Sequence, residues 1–324
     1  MTTELLNAIT NPDSAIVRAA ELLRSGEIVG IPTETVYGLG ACVFNEKAVQ
    51  KIYEAKGRPQ DNPLIAHIAS IEDVERIAID IPDEFYRLAD AFFPGALTVI
   101  LKKRKEVPSI VSAGLDTIAV RMPAHEIALR IITEAGEPLV APSANRSGKP
   151  SPTTAQHVFD DMNGRIAAIV DGGQCRVGIE STIIDILGVT PIIVRPGSIT
   201  REDIESVLGK KVIMHSGEET STPIAPGMKY RHYAPQAAVR LMKSWEAISE
   251  EMEVNPNLKR MILATENPPS ELKNLVYLLS SETIYAEFRR ADAESFQEIL
   301  ILCNDTVQSN TALMNRIAKA ASGT

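Results

Sequence analysis

The stretch NPDSAIVRAAELLRSGEIVGIPTETVYGLG, residues 11–40, decides the fold class. Asn11 stands where a helix cap belongs, Pro12 suits the first helical turn, and SAIVRAAELLRS carries an apolar stripe until Gly26 stops it. EIVGIP then reads as a short buried strand, and PTETVYGLG as a polar turn at its end. The pattern repeats along the chain. A helix is expected over about 46–55, then the loop GRPQDNP and the strand LIAHI. Further strands are expected at 97–101, 117–121, 138–141, 167–170, 181–186 and 191–195, with helices near 82–92, 124–135, 153–162 and 201–208. Short β-branched runs mixed with helices imply an α/β domain.

The periodicity fails between Gly209 and about Gln236, where Ser, Thr, Pro and Gly dominate, so this segment reads as a connector. Beyond it α/β alternation resumes, with strands AVRLM, RMILAT, LVYLL and EILIL and a last helix over about 310–321. The expected organisation is a first domain over 1–208, a linker or lid over 209–236 and a small α/β domain over 237–324.

The chain has 324 residues, of which 44% are hydrophobic and 23% charged, enough for a substantial core. A formal net charge of −9 argues against a protein that coats nucleic acid, because neutralising phosphates needs a basic surface. Cys42, Cys175 and Cys303 are far apart, odd in number and outside any CxxC spacing, so neither a disulfide framework nor a zinc site is signalled. No basic leader precedes an apolar run, and no apolar run approaches the ~20 residues that span a bilayer. A cytoplasmic location is expected. Phosphate-loop, GxGxxG, HExxH, GxSxG and kinase signatures are missing; SGKPS at 147–151 lacks the first glycine of a phosphate loop.

The polar clusters that remain follow predicted strands, where open α/β sheets place ligands. PTETVYGLG (32–40) offers the hydroxyls of Thr33 and Thr35, and Gly38 and Gly40 allow close backbone approach; alone, an ordinary turn accounts for it. KGRPQDNPLIAHI (56–68) sets Lys56 and Arg58 just past a helix C-terminus, with Arg58, Asp61 and Asn62 expected to face outward. The pair complements the helix dipole in any case, yet beside a rigid polar loop it favours anion binding. DTIAVRMP (116–123) ends a strand at Arg121, a place that is usually surface. APSANRSGKPSPTT (141–154) packs serines, Asn145, Arg146 and Lys149 into a loop before a helix, where phosphates and simple caps are both at home. DGGQCRVGIEST (171–182) and IIVRPG (192–197) complete the series. PGMKYRHYAP (226–235) makes the connector aromatic and basic, as in a lid. Several cations at strand ends of an acidic protein point to a polyanionic ligand such as ATP.

PTETVYGLG, KGRPQDNPL, Ser143-Ala144-Asn145, STIID and VRPG, in this order and spacing, resemble the threonylcarbamoyl-AMP synthase family. PGMKYRHYAP and the C-terminal unit resemble its long, two-domain form. The resemblance implies a YrdC-like twisted mixed-sheet domain, a linker and a small Rossmann-like α/β domain. It implies a nucleotidyltransferase that makes threonylcarbamoyl-AMP from ATP, L-threonine and bicarbonate for N6-threonylcarbamoyladenosine at position 37 of tRNA, with a separate transferase completing the modification. It leaves open whether this chain contacts tRNA. By position, Thr35, His67, Arg121, Ala141 (through its backbone) and Ser181 resemble the threonine set. Arg58, Asn62, Thr117, Ser143, Ser151, Arg195 and Tyr233 resemble the ATP set. Lys56 and Arg58 are the implied catalytic cations. Magnesium is implied as a companion of ATP, with no protein ligands and no organic cofactor. Two rivals share the fold. An RNA-binding or ribosome-assembly module is disfavoured by the overall acidity, and a carbamoyl-transfer maturation enzyme by the lack of cysteine-rich zinc modules.

Overall fold

The computed structural model describes residues 2–215 and 233–322. The chain divides into two compact units, residues 1–147 with 151–230, and residues 148–150 with 231–324. The connector's Lys229, Tyr230, Arg231 and His232, and most of the expected lid, lie outside the described residues.

In the first unit the strands are β1 (Glu4–Asn7), β2 (Val29–Ile31), β3 (Gly38–Cys42), β4 (Ile65–His67), β5 (Ala78–Ile79) and β6 (Leu97–Lys103), followed by β7 (Thr117–Arg121), β8 (Leu139–Val140), β9 (Ala168–Asp171), β10 (Thr182–Asp185), β11 (Ile192–Arg195) and β12 (Ile213–Met214). They form one mixed sheet in the order β1-β9-β2-β3-β8-β4-β7-β6-β10-β11-β12, with β5 beside β6. β4 and β7 run parallel, with His67 opposite Arg121, while β6 is antiparallel to β7 and parallel to β10.

Period-two alternation sorts the sheet's side chains into two faces. Ala66, Val99, Leu101, Ile118, Val120 and Val140 enter the main core with the helices Glu46–Lys56, Asp83–Phe92, Ala155–Met162 and Arg201–Leu208. On the other face, Val29, Ile31, Leu139, Ala168 and Val170 pack under the helices Pro12–Arg24 and Glu126–Ala135. Further along that second face Ile65, Ile100, Ala119, Ile183 and Val194 form a small apolar patch. Residues two positions away share its direction, so His67, Thr98, Thr117, Arg121 and Ser181 all belong to this half-face.

Several sequence expectations need correction. Asn11 occupies the N-cap position but makes no side-chain capping bond; Asn7 Oδ1 takes the nearby Ile9 and Thr10 N–H groups instead. The GLGAC segment is a strand rather than part of a turn, because pairing with β2 and β8 satisfies a backbone that two glycines weaken locally. β1 pairs in parallel with β9 at a sheet edge, a long-range contact with no local signal.

The second unit carries β13 (Ala238–Met242), β14 (Arg260–Ala264), β15 (Val276–Leu278) and β16 (Glu298–Leu302), all parallel in the order β13-β16-β14-β15. Arg260 is 2% exposed and donates from Nε to Glu298 Oε2 at 2.6 Å and from Nη1 to the Asn255 carbonyl at 2.6 Å. No described helix is long and apolar enough to cross a membrane.

Removing one partner of a buried ion pair leaves an uncompensated charge. Arg260→Ala is therefore expected to cost about 3 kcal/mol. Hydrogen exchange should speed up in β14 and β16 and stay slow in β4 and β7; unchanged protection in β14 would refute this.

Candidate active site

Arg121 closes β7 and is 4% exposed, against the expectation of a surface arginine. Its guanidinium is anchored on three sides. Nε donates to the Gly95 carbonyl at 3.1 Å, Nη1 to Thr35 Oγ1 at 2.8 Å, and Nη2 lies 2.6 Å from Glu34 Oε1. Burial pushes the Glu34 carboxyl up, but the charge and hydrogen bond of Arg121 outweigh it, with help from backbone N–H groups. The net direction is below the usual carboxylate range. Thr35 and Glu34 lie in the turn after β2, and the chain there is fixed by Tyr37 N–H on the Pro152 carbonyl and Val177 N–H on the Glu34 carbonyl.

His67 ends β4 beside Arg121, 3% exposed, with Nδ1 3.2 Å from the Ile65 carbonyl. Burial, and then the like charge of Arg121, drive its pKa down to about 3, so the ring is neutral at physiological pH. Ser181 precedes β10. Its Oγ lies 2.7 Å from Thr98 Oγ1 and accepts from Arg195 Nη2 at 3.2 Å, while its carbonyl accepts from Arg195 Nε at 3.1 Å. Gly197, two residues after Arg195, explains the VRPG motif. An added Cβ there would stand 2.3 Å from Thr182 N and 2.6 Å from the Ser181 carbonyl carbon, so only glycine lets that turn touch the Ser181 backbone.

Lys56 is the last residue of its helix rather than lying past it; Gly57, in the left-handed region at φ 60°, stops the helix there. Lys56 is 3% exposed, and its Nζ donates to the Ser143 carbonyl and to the Asn145 carbonyl at 2.7 Å. Burial and then the Arg58 charge lower its pKa well below the usual lysine value, opposed by Asp161. Arg58 is half-buried and donates from Nη2 to the Pro63 carbonyl at 3.1 Å and the Asn62 carbonyl at 3.3 Å. Asn62 does not face outward as expected. It is 1% exposed because Tyr53 and Arg58 gather on its carbonyl and draw the loop inward.

Ser143 bridges to Gly38, where an added Cβ would stand 3.0 Å from Ala141 Cβ. Ala141 N–H donates to the Ile65 carbonyl. Ser151 donates to Glu180 Oε1 at 2.5 Å. Thr117 starts β7 opposite Lys102 on the same half-face as Arg121. Tyr233 belongs to the second unit, where it is 5% exposed, stacks on Tyr285 with ring centroids 5.4 Å apart and faces the Arg316 guanidinium.

The structure thus joins Thr35 to Arg121 and Ser181 to Arg195 by hydrogen bonds, sets His67 beside Arg121, and joins Lys56 to the Ser143 loop. Sequence reasoning missed Glu34, Thr98 and Gly95. Glu34 stood inside the quoted PTET motif, but a carboxylate in a turn reads as solvated. Thr98 could have been found by alternation with Ile100. Among the described residues no group of three or more His, Cys, Asp or Glu could hold a metal ion.

Glu34→Ala should destabilise the first unit by about 3–5 kcal/mol in denaturant unfolding, since Arg121 cannot shed its charge. A loss below about 1 kcal/mol would show that water replaces the carboxylate. His67 is neutral in the fold and titrates near pH 6.5 once unfolded, so between pH 6.5 and 3 the unfolded chain binds the extra proton. Stability should therefore fall as pH drops through that window, by on the order of 5 kcal/mol from this group. His67→Asn should show a shallower acid slope than the parent protein; equal slopes would count against a buried neutral ring.

Residues 21–197 match the Sua5_yciO_yrdC family, described as telomere recombination, and residues 199–322 match the Sua5_C family, described as threonylcarbamoyl-AMP synthase, C-terminal domain. The threonylcarbamoyl-AMP synthase of Pyrococcus abyssi (strain GE5 / Orsay) is 55% identical over 223 residues, 68% of this chain and 66% of that protein. The one from Bacillus subtilis (strain 168) is 43% identical over 334 residues, covering 99% of this chain and 96% of the relative. The crystal structure of P. abyssi Sua5 complexed with L-threonine superposes with a TM-score of 0.90 at 40% identity, covering 99% of this chain and 98% of that one. The structure described as that of a double variant of P. abyssi Sua5 gives 0.91 at 41% identity, covering 99% and 96%. Both halves of the sequence and the whole of the fold agree, and the chain belongs to the threonylcarbamoyl-AMP synthase family.

Proposed function

We propose that this chain joins ATP, L-threonine and bicarbonate into L-threonylcarbamoyl-AMP with release of pyrophosphate, supplying the activated group for threonylcarbamoylation of tRNA adenosine 37. The observation that carries the reading is the anchored Arg121 guanidinium at the end of β7, with Thr35 bonded to it, His67 opposite it on β4, and Ser181 on the same half-face of the sheet, bonded to Arg195. That set suits a small amino acid, and a relative of this chain is solved with L-threonine.

The neutral threonine amine attacks the carbon of bicarbonate with loss of water, or of its dehydrated form, carbon dioxide, with loss of a proton, and either route leaves a carbamate. A carbamate oxygen then attacks the α-phosphorus of ATP, the bond from that phosphorus to the bridging oxygen breaks, and pyrophosphate leaves with the electron pair. No enzyme nucleophile is needed, so catalysis rests on positioning and on stabilising charge. Arg121 would hold the amino-acid carboxylate, a match between planar fork and carboxylate. Neutral His67 would add a hydrogen-bonding wall without competing for that charge. Arg58 and Arg195 would face the nucleotide phosphates with Asn62, Thr117, Ser143 and Ser151, while the Ala141 backbone would line the amino-acid side. Lys56 would act on the phosphates and also hold the Ser143 loop, because its Nζ already gathers the Ser143 and Asn145 carbonyls. Tyr233 is proposed to contact ATP. Magnesium would ride on the ATP phosphates and water, and no step is assigned to it. A separate transferase would carry the product to tRNA.

Incubation with ATP, threonine and bicarbonate should release pyrophosphate only when threonine is present, with an adduct of threonylcarbamoyl-AMP mass. Release with serine and not threonine would change the substrate; none with either would sink the reading. Arg58→Ala should lower turnover by at least about 100-fold with the melting temperature nearly unchanged. Near-parental turnover would remove Arg58 from the chemistry.

A further inference from the structure

Four hydroxyls form two bonded pairs at the proposed amino-acid site, Thr33 with Thr35 and Thr98 with Ser181, and each carries one proton and two acceptor lone pairs. All are buried: Thr33 is 2% exposed, Thr35 0%, Thr98 0% and Ser181 1%. A buried hydroxyl proton without an acceptor is costly, so the direction of each bond can be assigned by elimination.

Thr33 donates its proton to the Val36 carbonyl at 2.7 Å, since a carbonyl can only accept. It has no second proton, so in the Thr33–Thr35 contact at 2.9 Å the donor is Thr35. Thr35 also accepts from Arg121 Nη1 at 2.8 Å. Its proton is spent and one lone pair is left. Thr35 can therefore meet a ligand only as an acceptor.

The wiring at Ser181 has the opposite sense. Arg195 Nη2 is a donor, so it occupies one lone pair of Ser181 Oγ. The Thr98 and Ser181 hydroxyls lie 2.7 Å apart and either can donate; only donation from Thr98 to Ser181 gives the fully buried Thr98 proton an acceptor among the described residues. Both Ser181 lone pairs are then filled and its proton is available. Ser181 therefore meets a ligand at least cost as a donor.

We propose that Thr33 and Thr98, which need not touch the substrate, are positioning residues that fix the hydrogen-bond polarity of the site, with Thr35 as acceptor and Ser181 as donor. This polarity fits a ligand that presents an N–H or O–H group to Thr35 and an anionic oxygen to Ser181. It rests on the reading of this pocket as the amino-acid site. It extends that reading by naming what the pocket rejects. A ligand with an acceptor facing Thr35 meets a like group with no rotation open to relieve it, while a donor facing Ser181 turns the Ser181 proton onto Thr98 and leaves the buried Thr98 proton without an acceptor.

The test uses Thr98→Val and Thr33→Val, which keep shape and remove the hydroxyl, and Thr98→Ser and Thr33→Ser, which restore it. Each valine variant should raise the KM for threonine about five- to tenfold, the effect of one hydrogen bond, with the KM for ATP within twofold of the parent. Each serine variant should return the threonine KM to within twofold. Melting temperatures identify a variant that merely fails to fold, and calorimetric titration with threonine alone repeats the comparison without turnover. Valine variants with parental threonine KM overturn the proposal, as do equal losses in threonine and ATP or serine variants that fail to rescue. Failure of the parent protein to release threonine-dependent pyrophosphate is a different result, because it removes the function and not the wiring.

Discussion

The buried guanidinium of Arg121 is the constraint around which the first unit's site is arranged. A permanent cation can stay 4% exposed only if its charge and its N–H groups are met in place. Glu34 meets the charge, and Thr35 and the Gly95 carbonyl take further donors. Those partners come from the turn after β2 and from the residues just before β6, so one side chain ties two distant segments to the end of β7. The arrangement narrows what the segments can do. It holds the PTET turn against the sheet, and its charge adds to the burial that keeps His67, its cross-strand neighbour, neutral.

Close backbone approach is the second device. Gly197 lies where any side chain would meet the backbone of residues 180–182, and Gly38 lies where the neighbouring Ala141 leaves no room. These glycines bring Ser181 and Ser143 to their positions by contact of main chain on main chain, which is stiffer than contact through side chains. Lys56 does the comparable work for the Ser143–Asn145 turn through two carbonyls. Its burial explains why a residue that looks like a solvated helix-end cation is also a structural clamp.

The second unit follows the same physics without the same polar wiring. Its four parallel strands bury Ile262, Leu300 and Leu302, and the buried Arg260 pairs with Glu298. Its Tyr233 stacks on Tyr285, and Asp292 takes the Gln236 and Ala237 N–H groups, so the described start of this unit is tied to its helix Ile284–Ala293.

The α/β class, most strands and most helices of this protein were legible from local pattern, because period two and period 3.6 depend on neighbours in the chain. TIAVR and AVRLM run over the same residues in sequence and structure. The glycine strand GLGAC and the edge strand β1 were not legible, since long-range pairing and not propensity makes them strands. For the site, the motifs pointed to Thr35, Arg121, Ser181 and Lys56 as residues of interest, but they read Asn62 as outward and Arg121 as surface. That Thr35 meets Arg121, that Thr98 meets Ser181, and that Glu34 is the counter-ion of Arg121 follow from distances between segments tens of residues apart. Sequence alone determined which groups this chain carries and the local elements that hold them; tertiary structure alone decided which of them share a low-dielectric space, and hence their charges and their hydrogen-bond directions.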